Sequence, residues 1–291
     1  MTNKSVLGIG INISKKEKEI IQKNLKLEDI TLDTASIKDL KIKVKDSVTE
    51  IEIKDKNLLS YDYIWIQSGW NTTHMAYLLD LYLTQKNIPH NKTNTSITKL
   101  SDILILASHN INVPNTYFQN GLKINHQNLS EIENTCKLPC IYKTSLGSLG
   151  SNVYLIDKAK DIIQTIMEKR KFNRYIFQEY IPNDFDYRIV VANGVPTSIC
   201  KRTRINDDYR NNAALGAKET FHNTQDIPLE TLDIAIRSAE ALNLNWAGVD
   251  VVTDKETGID YILEVNRRPG LTEESTEIVA AYSYIKELVG R

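Results

Sequence analysis

Two runs in the last quarter of the chain, "WAGVDVVTD" (246–254) and "IDYILEVN" (259–266), alternate apolar and polar residues on either side of Lys255–Gly258. Period-two alternation interrupted by a short polar turn predicts an antiparallel hairpin. A turn centred on Thr257 sets Asp250 opposite Glu264, and Asn266, two residues on, shares their face. Two carboxylates directly across a ladder repel each other. A bound cation removes that cost, and carboxylate plus amide oxygens are hard donors that suit Mg²⁺ or Mn²⁺ rather than zinc. The other reading is a pair of solvated carboxylates on an open face. Val249, Val251, Leu263 and Val265 fill the opposite face under both readings.

A second hairpin is written just upstream. "FDYRIVVA" (185–192) and "VPTSICKR" (195–202) flank Asn193-Gly194, the pair that best tolerates the positive φ of a type I′ turn. Lys201 and Arg202 end this hairpin, Arg204 follows, and Arg210-Asn211-Asn212 comes after Asp207-Asp208. Guanidinium groups bind phosphate through a bidentate fork, so this is either a phosphoryl-facing cluster or a solvated basic loop. Lys143 leads "TSLGSLGS", where Gly147 and Gly150 allow close backbone approach and Ser145, Ser148 and Ser151 add donors. No Gly-Lys-Ser/Thr closes that run, so it is not a Walker A loop. "FQEYI" (177–181) offers a strand end whose backbone can meet an adenine edge, and Asp186 follows within reach of ribose hydroxyls.

The rest of the chain reads as alternating elements. "VLGIGINI" near the start is a buried first strand; its Gly8-Ile9-Gly10 lacks the third glycine of a dinucleotide fingerprint. Strands are expected at 61–67, 88–91, 138–143, 152–156 and 174–181. Helices are expected at 75–86, 98–109 (capped by Thr98 or Ser96), 157–170, 228–243 and 275–288, and a polar loop over 205–224. An α/β part therefore precedes a largely antiparallel α+β part. With 291 residues, 41% of them hydrophobic and 25% charged, the chain suits two or three linked globular cores. Lys+Arg 36 against Asp+Glu 37 leaves a net charge of −1, which points to neither nucleic acid nor a membrane surface. No apolar run nears the roughly 20 residues of a membrane span. Cys136, Cys140 and Cys200 form an odd set without a secretory leader and without zinc spacing. They read as buried thiols in a cytoplasmic protein.

Taken in order, six segments resemble the ATP-grasp superfamily, and within it the RimK-like carboxylate–amine ligases. They are "ITKLSDILILASHNINVPNT", "PCIYKTSLGSLG", "FQEYI", "FDYRIVV", "CKRTRINDDYRNNAALG" and "GVDVV…ILEVNRRPGL". The resemblance spans about residues 96–280. It implies an ATP-grasp fold with an N-terminal α/β domain (1–95), a small central subdomain (96–180) and a C-terminal subdomain (181–291), the last two clasping ATP.

The resemblance also implies roles. Lys99, Lys143 and Ser148 would hold ATP phosphates. Glu179, Tyr180 and Ile181 would meet adenine, Asp186 the ribose, and Lys201 the nucleotide. Arg202, Arg210 and Asn212 would face the transferring phosphoryl, and Asp250, Glu264 and Asn266 would bind two Mg²⁺ ions, with Mn²⁺ as a substitute. The implied reaction activates a carboxylate as an acyl phosphate. A small-molecule or peptide amine then attacks it to form an amide, with release of ADP and phosphate. A peptide-modifying ligase or macrocyclase, or a nucleotide-binding regulator without turnover, are the competing readings. A homodimer or homotetramer accords with the family. Two departures stand out: Arg267-Arg268 occupies positions where small or polar residues are common, and Gln67-Ser68-Gly69-Trp70 stands where relatives often carry an arginine. The arginine pair would either recognise an extra carboxylate or phosphate or form a surface salt bridge.

Overall fold

The computed structural model describes residues 3–54, 56–93, 98–121, 125–145, 152–169, 175–204, 209, 211, 216–273 and 275–290. The chain opens with β1 (Lys4–Ile9), α1 (Lys15–Lys26), β2 (Ile30–Ala35), the hairpin β3 (Leu40–Lys45) and β4 (Val48–Ile53), β5 (Tyr63–Ile66) and α2 (Thr73–Gln85). The parallel sheet runs β2-β1-β5. Residues 88–91, expected as a strand, contribute one bridge, between Ile64 and His90. Pro89 has no amide proton to extend the ladder.

A second block follows: α3 (Lys99–Ser108), β6 (Thr116–Tyr117), α4 (His126–Cys136), β7 (Cys140–Thr144), β8 (Val153–Ile156), α5 (Ala159–Lys169) and β9 (Tyr175–Glu179). Its strands form an antiparallel sheet, β6-β9-β7-β8. Tyr142 stacks on Tyr175 at 4.3 Å between centroids, and Cys136 and Cys140 are enclosed among Ile132, Ile162 and Phe177.

The last block holds β10 (Phe185–Ala192), β11 (Val195–Thr203), β12 (Lys218–His222), α6 (Leu229–Ala241), β13 (Trp246–Thr253), β14 (Asp260–Asn266) and α7 (Thr276–Gly290). The sheet order is β12-β11-β10-β13-β14, antiparallel throughout. Asn193 and Gly194 take φ of 49° and 78°, so the I′ turn forms where the dipeptide places it. Part of the expected loop at 205–224 is β12, an edge strand with one large apolar residue, Phe221. β12 is held by its ladder to β11 rather than by a buried face of its own.

Two cores tie the last block to the rest of the chain, one through α3 and one through the first block. Ile189, Ile199, Val249, Val251 and Val265 line one face of the five-stranded sheet and pack against α6 and Leu106 of α3. On the other side, Val190, Ala192 and Trp246 share a core with Val6, Trp65, Ile21 and Tyr284, joining this sheet to the parallel sheet through α1 and α7. Trp65 meets Trp246 edge-on at 5.5 Å, a contact worth about 1 kcal/mol beyond area burial. Among the described residues, no helix is long and apolar enough to cross a membrane.

Candidate active site

Strand alternation divides the five-stranded sheet into an apolar face and a charged one. Asp186 and Arg188, two apart on β10, share a face; they lie opposite Arg202 of β11 and Asp250 of β13 respectively. Asp250 in turn lies opposite Glu264 of β14, and Gly248 opposite Asn266. A bulge between Asp250 and Val251 then shifts the register so that Val251 faces Ile262, and Ile262 takes the core position expected of Leu263. An extra residue in one strand bends and twists the ladder, here beside the two carboxylates.

On β10, β11 and β13 each carboxylate of this face meets an arginine, whereas Glu264 has the like-charged Asp250 opposite it. Nε and Nη2 of Arg202 donate to Asp186 at 2.7 and 2.9 Å, and Nη2 also reaches Asp250 at 3.1 Å. Nε and Nη2 of Arg188 donate to Asp250 at 3.0 and 3.3 Å. Burial works against ionising Asp250, yet the guanidiniums of Arg188 and Arg202 outweigh it and hold the carboxyl down at about 2. Burial raises Asp186, opposed by Arg202.

Glu264 takes its cation from another element. Thr98 caps α3, its hydroxyl accepting from Ser101 N at 3.1 Å. The side chain of Lys99, the first helical residue, then donates to Glu264 at 2.7 Å. The amide of Lys99 also donates to Ser145 O at 3.0 Å, fastening the helix start to the end of β7, the strand that carries Lys143. Burial pushes Lys143 down to about 7, with Lys99 adding to the shift and Glu264 opposing it. Lys143, Lys99 and Glu264 are therefore close enough to feel one another's charge, although they come from three different elements. One helical turn on from Lys99, Asp102 receives both Nη groups of Arg267 at 2.9 and 2.7 Å.

Asp250, Glu264, Asn266, Lys99 and Lys143 thus converge. Arg202 and Asp186 lie beside them. Arg202 is 4% exposed and holds the carboxylates of Asp186 and Asp250; each oxygen of Asp186 accepts one N–H of Arg202 and keeps a second lone pair. Lys201 faces away from Arg202, its ammonium 3.7 Å above the Phe185 ring. Glu179 accepts from Asn115 Nδ2 at 2.6 Å, the hydroxyl of Tyr180 accepts from Arg204 at 3.4 Å, and the Ile181 carbonyl accepts from Asn183 at 2.7 Å. Ser148, Arg210 and Asn212 lie outside the described residues. Arg188 carried no role in the sequence reading. Its signal was the Asp-x-Arg spacing on β10, which obliges both side chains to share the charged face.

This set fits a nucleotide with Mg²⁺. Among the described residues, no three His, Cys, Asp or Glu side chains form a closed cage. Two carboxylates and an amide suit Mg²⁺, which keeps part of its shell for water and phosphate oxygens. Asn266 Nδ2 is buried with no acceptor among the described residues, which leaves a donor for a phosphate oxygen, while the amide oxygen would be the cation ligand. Asp186, Asp250 and Glu264 are balanced by Lys99, Arg188 and Arg202. A triphosphate arriving with divalent cations therefore adds little net charge.

Comparison with known proteins agrees. Residues 96–287 match the model of the RimK-like ATP-grasp domain. A probable alpha-L-glutamate ligase of Mannheimia succiniciproducens is 31% identical over 224 residues, covering 74% of this chain and 71% of that protein. The ATP-grasp ligase PsnB, complexed with a phosphomimetic variant of its minimal precursor, Mg and ADP, superposes with a TM-score of 0.69 at 14% identity, covering 99% and 100% of the two chains. D-alanine–D-alanine ligase of Bacillus anthracis complexed with ATP gives 0.64 at 15% identity over 98% and 96%. The chain belongs to the RimK-like ATP-grasp family, and it is an ATP-dependent ligase that couples a carboxylate to an amine.

Proposed function

We propose that ATP lies between the four-stranded and five-stranded sheets and that phosphoryl transfer to the substrate carboxylate takes place over Asp250 and Glu264. The observation that carries this reading is the convergence of Asp250, Glu264 and Asn266 on one face with Lys99 and Lys143 beside them. Lys99 exchanges Glu264 for a phosphate oxygen, and Lys143 gives the triphosphate a second ammonium group. Asp250, Glu264 and Asn266 would hold two Mg²⁺ ions, which would neutralise phosphate charge and polarise the transferring group. Arg188 and Arg202 position Asp250, and Asp186 positions Arg202. Arg210 supplies the guanidinium that faces the γ-phosphate. The backbone of 179–181 meets adenine.

The substrate carboxylate attacks the γ-phosphorus in line, giving an acyl phosphate and ADP. The nitrogen of the amine then attacks the acyl carbon, phosphate leaves with the C–O bonding pair, and the amine loses a proton. The parallel sheet and the loop after β14 form the substrate side. Because its relative is named a probable alpha-L-glutamate ligase, glutamate is the first amino acid to test on either side of the bond.

An ADP-release screen over amino acids and peptides with Mg·ATP, followed by mass spectrometry, tests the reading. The expected result is ADP release that requires both an acid and an amine, with a product lighter than their sum by one water. Nucleotide binding without amine-dependent ADP release would favour a regulatory protein instead. Glu264→Gln should lower kcat by about a thousandfold, some 4 kcal/mol of barrier.

A further inference from the structure

Arg267 and Arg268 directly follow Asn266, and the fold uses them differently. Arg267 gives both Nη groups to Asp102, a bidentate pair across two elements. Arg268 makes no hydrogen bond or ion pair with any described residue; the Nε of each arginine is enclosed with no acceptor among the described residues. Its Nη1 reaches the loop after β5: a Cβ built on Gly69 would stand 3.8 Å from it.

The parallel sheet gives that location a meaning. From β1 the chain crosses to β2 on one side, while β5 lies on the other. The crevice at the carboxyl ends of β1 and β5 is therefore a switch point, where open parallel sheets bind ligands. Gly10 and Gln67 stand at those ends. Gln67 N donates to Ile9 O at 2.9 Å, and a Cβ on Gly10 would collide with the Gln67 carbonyl at 2.4 Å. The loop after β14 enters the same crevice, since a Cβ on Gly270 would lie 3.4 Å from Asn12 Nδ2. Gln67 is 4% exposed, and its Oε1 has no donor among the described residues; it lines a small cavity with Ser68, Trp246 and Arg267. Arg268, two residues from Asn266, approaches the same loop at Gly69, so an enclosed donor lies beside the switch point.

Enclosed polar groups without partners cost stability unless something satisfies them. A guanidinium is matched by the two oxygens of a carboxylate. We infer that Arg268 is a specificity residue that takes a substrate carboxylate other than the one being activated. The enzyme would then select a substrate with a spectator carboxylate. That group belongs either to a dicarboxylic acid being activated or to the amine-bearing acceptor. This inference rests on the ligase reading above.

Calorimetric titration in the presence of Mg²⁺ and a non-hydrolysable ATP analogue tests it without turnover. One arm compares L-glutamate with L-glutamine and L-aspartate with L-asparagine; the other compares dipeptides with free and amidated C-termini. In wild type, the acid of at least one pair should bind about tenfold more tightly than its amide. Arg268→Gln should bring the two within twofold, and Arg268→Lys should restore part of the difference. The analogue's own Kd should hold in both variants, which also reports that they fold. The arm that responds identifies which substrate carries the group. No acid preference in any pair, or a preference that survives Arg268→Gln, overturns the inference. Failure of the ligase reading looks different: the ATP analogue itself would not bind, or no acid–amine pair would release ADP.

Discussion

At the residue scale, the site is a set of ion pairs that the proposed nucleotide would exchange for its own phosphates. Lys143 shows this most directly. Its folded value of about 7 lies well below the ordinary lysine value of 10.5. Between those values the unfolded chain holds a proton that the folded chain has released. The Lys143 contribution to stability therefore rises as pH rises from about 7 towards 10, and its full cost is present below 7. A triphosphate beside Lys143 reverses the balance by favouring the charged form. Nucleotide binding at pH 8 should take up close to one proton, measured as the dependence of binding enthalpy on buffer ionisation heat. The uptake should shrink at pH 6 and vanish in Lys143→Met. Arg188→Leu would leave Asp250 with Arg202 alone and should cost about 3 kcal/mol in denaturant unfolding. The opposition of Asp250 and Glu264 was expected from a turn centred on Thr257, but next to the turn the strands pair one residue short of that register, and the bulge restores it at Asp250. The partners that neutralise them were not legible. Lys99 and Glu264 are 165 positions apart, and only tertiary packing brings them together.

At the scale of elements, α3 matters most because its first residue carries the ammonium. The capping pair Thr98 and Ser101 sets where the helix starts and therefore where Lys99 points. Thr98→Ala should cost about 1 kcal/mol of stability. It should also raise the KM for ATP more than that for either substrate, a split that general destabilisation would not produce. This helix, the Asn-Gly hairpin and the central strands were readable because each has a local signal: a cap, a turn dipeptide or strict alternation. Several stretches were not, among them α1, β2, α4, the hairpin β3–β4 and β12. The hairpin β3–β4 turns through Asp46 and Ser47, at φ of 49° and 64°, with no glycine to announce it. β12, with the sequence KETFH, has too little alternation to stand out from a polar loop. The bulge beside Asp250 was also invisible, since one extra residue in β14 leaves the sequence pattern almost unchanged.

At the scale of the molecule, the three larger sheets differ in how they are held. The parallel and five-stranded sheets share a core built around Trp65, Trp246 and Tyr284, whereas the four-stranded sheet packs on its own helices α4 and α5. The cysteines are divided in the same way. Cys136 and Cys140 belong to the four-stranded sheet's core, and Cys200 is on β11. All three are buried, and burial pushes their thiols up to about 11, 12 and 12. A thiol that is both shielded and protonated reacts with an alkylating reagent only when its surroundings come apart. The native chain thus carries two internal clocks. Mass-resolved labelling with iodoacetamide should give Cys136 and Cys140 one common rate and Cys200 a slower one. A saturating ATP analogue, by bridging the two sheets, should draw the rates together, so that ligand grip is read as synchrony between parts that otherwise keep separate time.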